Sequence, residues 1–487
     1  MIILDNEIFK YYIRRMDDKM RIFSDIRTWI VVFFLIRLIG ITNPPLEVGH
    51  NWRQTTVTMV ARNFLEVDSN ILYPRVDMAG EKTGITGMEF PIFNYMIYCV
   101  SEIFGYQHWY GRLLNLLMSS IGVWFFFLLV RKYFHEKIAL YSAIILSVSI
   151  WFQFSRKVMP DTFSVSLVIA GIYYGSSYFD SASRDKAWLK LILYSILISI
   201  GVLSKLPSGY LLALLLFGLA DTTLPLRRKI VFSLVTCIAL APAIVWYFYW
   251  VPYLVDAYGF WHFFMGTTLR SGALEILQNG HDTLKNFYDR AMKFIGFGAF
   301  IFGLFFVFRA RDKRLRNIFM LALLLFSIIM MKAGRTFSHH DYYIIPFVPI
   351  MALVAGYGLA SLQRTTVAVF ILCCIMVEGI GNQQHDFFIH ENDRALERLE
   401  TDLDRVSHRS DLIVINSGHY PTPMYFAHRK GWVASNENIL DNNYIMSLQQ
   451  LGLKYIVILK HSFGSEVALL NYSKALENDD YTVYSVH

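Results

Sequence analysis

Apolar residues run along this chain in blocks of spanning length, separated by short polar turns. A membrane-crossing helix needs about 20 predominantly apolar residues. Eleven blocks fit that role: 29–41, 109–130, 138–155, 162–180, 187–203, 208–222, 229–251, 292–309, 315–331, 342–361 and 365–381. The first is short and holds Arg37, which can snorkel or face the bundle interior. A further block, 91–104, is too short to cross comfortably and carries Asn94 and Glu102, so it reads as an interfacial helix.

Charge decides the orientation of these spans. Arg14, Arg15, Lys19, Arg21 and Arg27 precede the first one, and the positive-inside bias puts residues 1–28 in the cytoplasm. With 91–104 lying in the interface, the pairs Arg131–Lys132 and Arg227–Arg228 and the cluster Arg309, Arg311, Lys313, Arg314 and Arg316 all fall inside. Counting 91–104 as a span would invert everything after it and throw all of these outside. The loop 43–108, the turns at 156–161, 204–207 and 332–341, the loop 252–291 and everything after 381 are then exoplasmic. The loop 252–291, with Trp261, His262 and Arg270, reads as an amphipathic interfacial helix pair.

The pattern changes after residue 381. Apolar runs shorten and become β-branched, and charge rises. Segments 412–416, 455–459 and 481–486 read as strands; 386–407, 443–451 and 465–477 read as helices. The expected architecture is an α-helical multi-pass membrane domain over 29–381, with the first exoplasmic loop at 43–108, followed by a small exoplasmic α/β domain over 382–487. That domain holds no phosphate-binding glycine loop, which leaves nucleotide binding without support.

Composition narrows the class. The chain is 487 residues long, 55% hydrophobic and 17% charged, against about 25% charged in soluble domains. The net charge of +7 is distributed as a topology signal, so nucleic acid is not an expected partner. Four cysteines, Cys99, Cys237, Cys373 and Cys374, all lie in apolar runs and outline neither a disulfide framework nor a zinc site.

The exoplasmic turns carry the candidate chemistry. The first loop offers Glu47, His50, Trp52, Arg53, Gln54 and, further on, Glu89. The second turn offers Arg156 and Asp161, the third Lys205, and the last His339, His340, Asp341 and Tyr342. Cations of this kind hold a phosphate, and a carboxylate or imidazole takes a proton from an incoming hydroxyl. Each residue also has a plainer explanation. Glu47 can bridge Arg53, Trp52 can sit in an aromatic belt, Asp161 can cap the helix that follows it, and Lys205 can snorkel. His50 can be a hydrogen-bonded structural residue. Adjacent histidines point apart, so His339 and His340 make a poor metal pair, although a divalent metal stays open.

Five stretches occur in an order and spacing that resemble a known group: GHNWRQTTVTMVARNF, GMEFPIFNYMIYCVSEIFG with WYGRLLN, SRKVMPDTFS, LSKLPSGY and SHHDYYIIPFVP. They resemble motifs of bacterial multi-pass glycosyltransferases related to the protein O-mannosyltransferases, a group that includes the lipid A aminoarabinose transferase. The resemblance covers roughly residues 28–361. It implies the GT-C membrane fold and a polyprenyl-phosphate sugar as donor; beyond that donor no cofactor is specified, and a divalent metal stays open. The acceptor would be a hydroxyl on a glycan, lipid or protein at the exoplasmic face of, typically, a bacterial inner membrane. It also implies inversion at the sugar, with a first-loop Asp or Glu as base. Here the chain departs from the group: where relatives have a WRQ-x-D stretch, this one has Trp52-Arg53-Gln54-Thr55-Thr56. Glu47, His50 and Asp161 are the remaining candidates for the base, and Arg53, Arg156 and Lys205 for the phosphate. A lipid-substrate flippase or a non-catalytic membrane scaffold is the alternative.

Overall fold

The computed structural model describes residues 23–180, 186–260, 266–469 and 471–486. Most of the N-terminal basic segment, together with Trp261 and His262, lies outside the described residues. The eleven apolar blocks are mostly helical, although the first leaves its helix after Arg37 and the sixth after Leu219. Among the described residues, five helices are long and apolar enough to cross a membrane: Tyr110–Tyr133, Ala187–Ser204, Leu226–Tyr258, Arg314–Ala333 and Asp341–Ala360. Lys293–Arg309 makes a sixth if it is joined to Gly280–Ala291, from which it bends by 98°. The chain is an integral-membrane helical bundle with a small C-terminal sheet domain. Helix Ile92–Phe104 has 13 residues, too few to cross, and leaves Ile103 and Phe104 exposed.

Breaks in the helices follow local chemistry. Ser149 ends one helix by donating to the Leu146 carbonyl, and caps the next by accepting from the Trp151 amide. Leu206–Leu215 winds as a 3-10 helix for ten residues, an unusual length for that form. Trp246–Trp250 forms a π-turn four residues after Pro242. The central helices approach one another through small residues. Ser164 donates to the Gly201 carbonyl at 2.7 Å, and a methyl group on Gly303 would meet the Val354 carbonyl oxygen at 2.1 Å. Outer faces such as Leu234, Ile238 and Phe248 stay exposed, as lipid-facing positions should.

The C-terminal sheet has the order β2-β1-β3-β5-β4. β1 (Leu412–Ile415), β2 (Gly431–Val433) and β3 (Leu453–Leu459) are parallel, while β4 (Ser473–Glu477) and β5 (Tyr481–Ser485) add an antiparallel edge. Two expectations fail here. The helix expected over 465–477 is replaced by β4 at its end, because pairing with β5 outweighs the local preference of this exposed, polar edge strand. The helix expected over 386–407 is split into 3-10 turns at Gln384–Phe387 and Glu391–Arg398 and a short α-helix, Leu399–Leu403.

This domain does not fold over a core of its own alone. Leu46, Met59, Val60 and Phe64 of the first loop are buried in one cluster with Ile413, Ile415, Val457 and Val483. Burying each such side chain contributes about 1.5–3 kcal/mol. Hydrogen bonds fix the seam: Arg62 donates to the Tyr425 carbonyl at 3.0 Å, and the Gly431 amide to the Asp77 carbonyl at 3.0 Å. The first loop is therefore clamped between bundle and sheet.

Candidate functional site

Helix Asn51–Glu66 starts at His50, which adopts a left-handed conformation with φ of 58°. That turn aims Trp52 and Arg53 at the end of the bundle. Facing it is the turn 155–161, held by Asn115, whose side-chain amide donates to the carbonyls of Phe154, Lys157 and Met159. Gln54 ties the two together by accepting from the Val158 amide at 3.1 Å. Gln54 is thus a strut, and the structure does not bring it to a cavity.

A cavity of about 500 Å³ opens beside this junction. Its polar lining is made by Trp52, Arg53, Glu89, Lys205, His340 and Tyr342. Glu89 is paired with Arg53 and, at 2.8 Å, with Lys205. Asp161 stands behind Lys205 at 3.5 Å. The Lys205 ammonium lies 5.3 Å from the Tyr342 ring centre. Hydrocarbon also lines the cavity, from Leu206, Pro207, Tyr210, Ile328 and Ile329, with Lys332 one turn beyond Ile328. The π-turn serves this site, since Trp246 donates to the Met88 carbonyl at 2.9 Å, next to Glu89, and Tyr247 lines the wall.

Electrostatics keep the polar lining charged despite burial. Burial pushes the Glu89 carboxyl up, but Arg53 and Lys205 outweigh this and bring it down to about 2. Burial opposes the charges of Arg53 and Lys205, yet Glu89 and Asp161 leave both above their ordinary values. His340 is held down to about 4 by burial and by neighbouring His50, so it is neutral at pH 7.

Against the cavity wall sits a second pair. His50 Nε2 lies 2.7 Å from Asp341 Oδ1, and both side chains are partly open to solvent. The His50 ring is 5.3 Å from that of Tyr342 and 6.4 Å from that of His340. In the tautomer that donates its Nε2–H to Asp341, Nδ1 carries the lone pair.

The expected residues therefore separate. Arg53, Glu89, Lys205, Trp52, His340 and Tyr342 converge on the cavity, with Asp161, His50 and Asp341 one contact behind. Asp161 does not cap its helix: Met159 occupies the cap position, and Asp161 Oδ2 has no hydrogen-bond partner. Glu47 and Arg156 are elsewhere. Glu47 does not bridge Arg53; it is buried between Arg112 at 3.0 Å and Arg156 at 3.4 Å. Arg156 donates to the Ile39 carbonyl and stacks on Phe387. His339 is exposed and points back to the Arg335 carbonyl. Among the described residues no cluster of three metal-ligating side chains occurs. Lys332, Thr336, Tyr210 and Tyr247 also line the cavity and went unnoticed in the sequence, where they sit within or at the edge of apolar spans. A lysine ending an apolar run was the one available signal for Lys332.

Residues 89–249 match the model of the dolichyl-phosphate-mannose-protein mannosyltransferase family, about a third of the chain. No curated protein sequence is significantly similar to it. Among solved structures, the fold is similar to ArnT from Cupriavidus metallidurans bound to undecaprenyl phosphate, with a TM-score of 0.61 at 12% identity, covering 95% of this chain and 98% of that one. It is also similar to the oligosaccharyltransferase of Archaeoglobus fulgidus in its apo form, with a TM-score of 0.55 at 12% identity, covering 88% and 69%. These likenesses establish the GT-C fold, and the chain resembles the O-mannosyltransferase and ArnT group.

Proposed function

We propose that the protein is a membrane glycosyltransferase that moves a sugar from a polyprenyl phosphate to an acceptor hydroxyl on a glycan, lipid or protein. The observation that carries this reading is a cavity lined by both buried charge and hydrocarbon. Its cations, Arg53 and Lys205, suit a phosphate, and its hydrocarbon lining suits an isoprenoid tail. The family match and the fold support the same class of reaction. The first loop, the cavity and the sheet domain would face the exoplasm, as the basic loops at the other end of the bundle favour.

In this reading Arg53 and Lys205 exchange part of their pairing with Glu89 for the donor phosphate. The acceptor oxygen attacks the anomeric carbon from the side opposite the phosphate. The new C–O bond forms as the bond to phosphate oxygen breaks, and the phosphate leaves with the electron pair. Configuration inverts. His50 Nδ1 takes the hydroxyl proton, and Asp341 orients the ring and stabilises the imidazolium. This pair would stand in for the missing first-loop aspartate. Asp161 is the second candidate for the base, favoured by its unpartnered Oδ2.

Transfer from labelled polyprenyl-phosphate sugars to membrane acceptors tests the reading. His50→Gln should lower kcat about 10²–10⁴-fold with little change in KM for the donor. Asp341→Asn should show a smaller loss of the same kind. Full activity of His50→Gln beside an inactive Asp161→Asn would move the base to Asp161. Absence of transfer from every polyprenyl-phosphate sugar tried would overturn the enzyme reading.

A further inference from the structure

In the C-terminal sheet, β1 is followed by the helix Thr422–Ala427 on the face that meets the first loop, and β2 by the helices Asn436–Leu440 and Asn442–Gln450 on the opposite face. β1 lies beside β3, and the chain leaves the carboxyl ends of these neighbours in opposite directions, toward β2 on one side and β4 on the other. Such a switch point opens a crevice at the strand ends, where α/β sheets bind ligands. A buried side chain joins the loops that meet there. The Asn416 amide group reaches Asn436 Oδ1 at 2.9 Å and the Leu459 and Ser465 carbonyls, both at 3.0 Å, while its Oδ1 accepts from the Leu459 amide at 2.6 Å. This holds the loops 416–421 and 460–465 against each other.

These loops present an aromatic ledge. The His419 and Tyr420 rings stack at 4.8 Å between centres, and both residues are exposed. The Phe463 ring meets that of Tyr420 edge-on at 5.9 Å. Phe463 has φ of 64°, a left-handed conformation that is strained for a bulky residue and recurs at ligand clamps. Lys460 does not serve the ledge; it faces Glu466 and Glu477, each at 3.7 Å. The polar groups at the rim are neutral: Ser465, two residues beyond Phe463, and Asn436, whose side-chain amide donates to the Ser465 hydroxyl at 2.5 Å. The ledge also stands beside the reaction site. Two residues beyond Tyr420, the Thr422 hydroxyl lies 3.2 Å from Asn51 Oδ1 and 3.2 Å from Thr55 Oγ1, on the helix that starts at His50. Two residues span at most about 7 Å, so a short oligosaccharide on the ledge reaches the turn that carries His50 and Trp52.

We propose that the ledge of His419, Tyr420 and Phe463 docks the acceptor, and that the acceptor is a neutral glycan. Its pyranose C–H faces stack on the rings, and its hydroxyls bond to Asn436 and Ser465. Exposed rings with neutral hydrogen-bonding neighbours match a sugar ring, which is apolar on its faces and polar at its edge. The inference rests on the transfer reaction proposed above and names its acceptor class.

Saturation-transfer NMR of the full chain, in a detergent without a sugar headgroup and with no donor present, tests docking by itself. The probes are short mannan, glucan and chitin oligosaccharides. At least one series should show saturation of its ring C–H protons. Tyr420→Ala and Phe463→Ala should each weaken that binding about fivefold, as expected for the loss of one ring contact. Tyr420→Trp should keep it, which separates a lost ring from a lost fold. In transfer assays on membrane acceptors, Tyr420→Ala should raise the acceptor concentration needed for half-maximal rate by a similar factor, with kcat and donor KM unchanged. No saturation of any oligosaccharide, or equal saturation in Tyr420→Ala and Phe463→Ala, would overturn the proposal. Glycan binding in a chain that shows no transfer would uphold the ledge and overturn the reaction; transfer with unchanged acceptor dependence in Tyr420→Ala would do the converse.

Discussion

Two clusters of buried charge lie close together at the first-loop end of the bundle, built from the same residue types. One is Arg53, Glu89, Lys205 and Asp161; the other is Glu47, Arg112 and Arg156, with Lys157 and Asp386 beside it. The first opens onto a cavity with a hydrocarbon lining. The second is closed on all sides. Its cations finish on backbone carbonyls: Arg112 on Ile41, Asn43 and Pro44, Arg156 on Ile39, and Lys157 on Gly49. Buried charge by itself does not mark a reaction site. What distinguishes the two is whether a ligand can reach the charges and replace one of the partners.

The comparison sharpens under mutation. Glu47→Gln should produce the largest effect, on stability alone, because it strands Arg112 and Arg156 in the interior. A loss of about 3–5 kcal/mol is expected from breaking such a buried pair, read as a fall in Tm in detergent, with normal turnover per folded molecule. Lys205→Met should act on turnover too. Glu89 keeps Arg53, but Asp161 loses its ion pair, so Tm should fall as well; what sets this variant apart is that transfer per folded molecule drops about 10²–10³-fold for the loss of one group holding the leaving phosphate. If the two variants gave the same balance of lost stability and lost turnover, the distinction between the clusters would fail.

Gly49→Ala probes the closed cluster more gently. A methyl group there would lie 2.2 Å from Asp386 Oδ1 and 2.6 Å from Lys157 Nζ, so one of them must move. The cost should be about 1–3 kcal/mol in stability, again without a change in turnover.

The smallest effect should come from the seam between sheet and first loop. His428 bridges Glu66 at 2.7 Å and Glu400 at 2.6 Å. Burial opposes the imidazolium, but the two carboxylates raise its pKa above the ordinary value. Burial likewise opposes the Glu66 carboxylate, and the His428 hydrogen bond lowers both Glu66 and Glu400. The His428 contribution is full below about pH 6.5 and fades as pH rises through its raised pKa; that of the glutamates is full above about pH 4.3 and fades as pH falls through their lowered ones. Protection from hydrogen exchange at the seam, taken relative to the intrinsic rate at each pH, should be greatest between those limits. His428→Gln should remove the decline in protection on the alkaline side.

How much of this could be read from the chain alone follows from the same physics. The membrane forces apolar residues into long helical runs, which leave a plain mark, and the interfacial candidate 91–104 followed from its length; the helix Asn51–Glu66 inside the first loop left no such mark. Arg53, Glu89 and Lys205 could be named as site residues for the same reason that Glu47 and Arg156 were named with them: all are charges in turns between spans. Nothing in local sequence tells an accessible ion pair from a closed one, because that depends on Asn115, Ile39 and Phe387 arriving from elsewhere. His50 was nameable, but its partner Asp341 lies 291 positions away. The edge strand β4 was lost to a helix-like pattern because only pairing with β5 defines it.

The central claim is that the cavity at Arg53, Glu89 and Lys205 receives a lipid phosphate with its tail toward Tyr210. The most direct measurement is photo-crosslinking with a polyprenyl phosphate carrying a diazirine near the phosphate end of its tail, followed by peptide mapping. Labelling should be confined to 206–210 and 328–336, displaced by undecaprenyl phosphate and lost in Lys205→Met. Labelling around Glu47 and Arg156, or labelling that undecaprenyl phosphate does not displace, would contradict that claim.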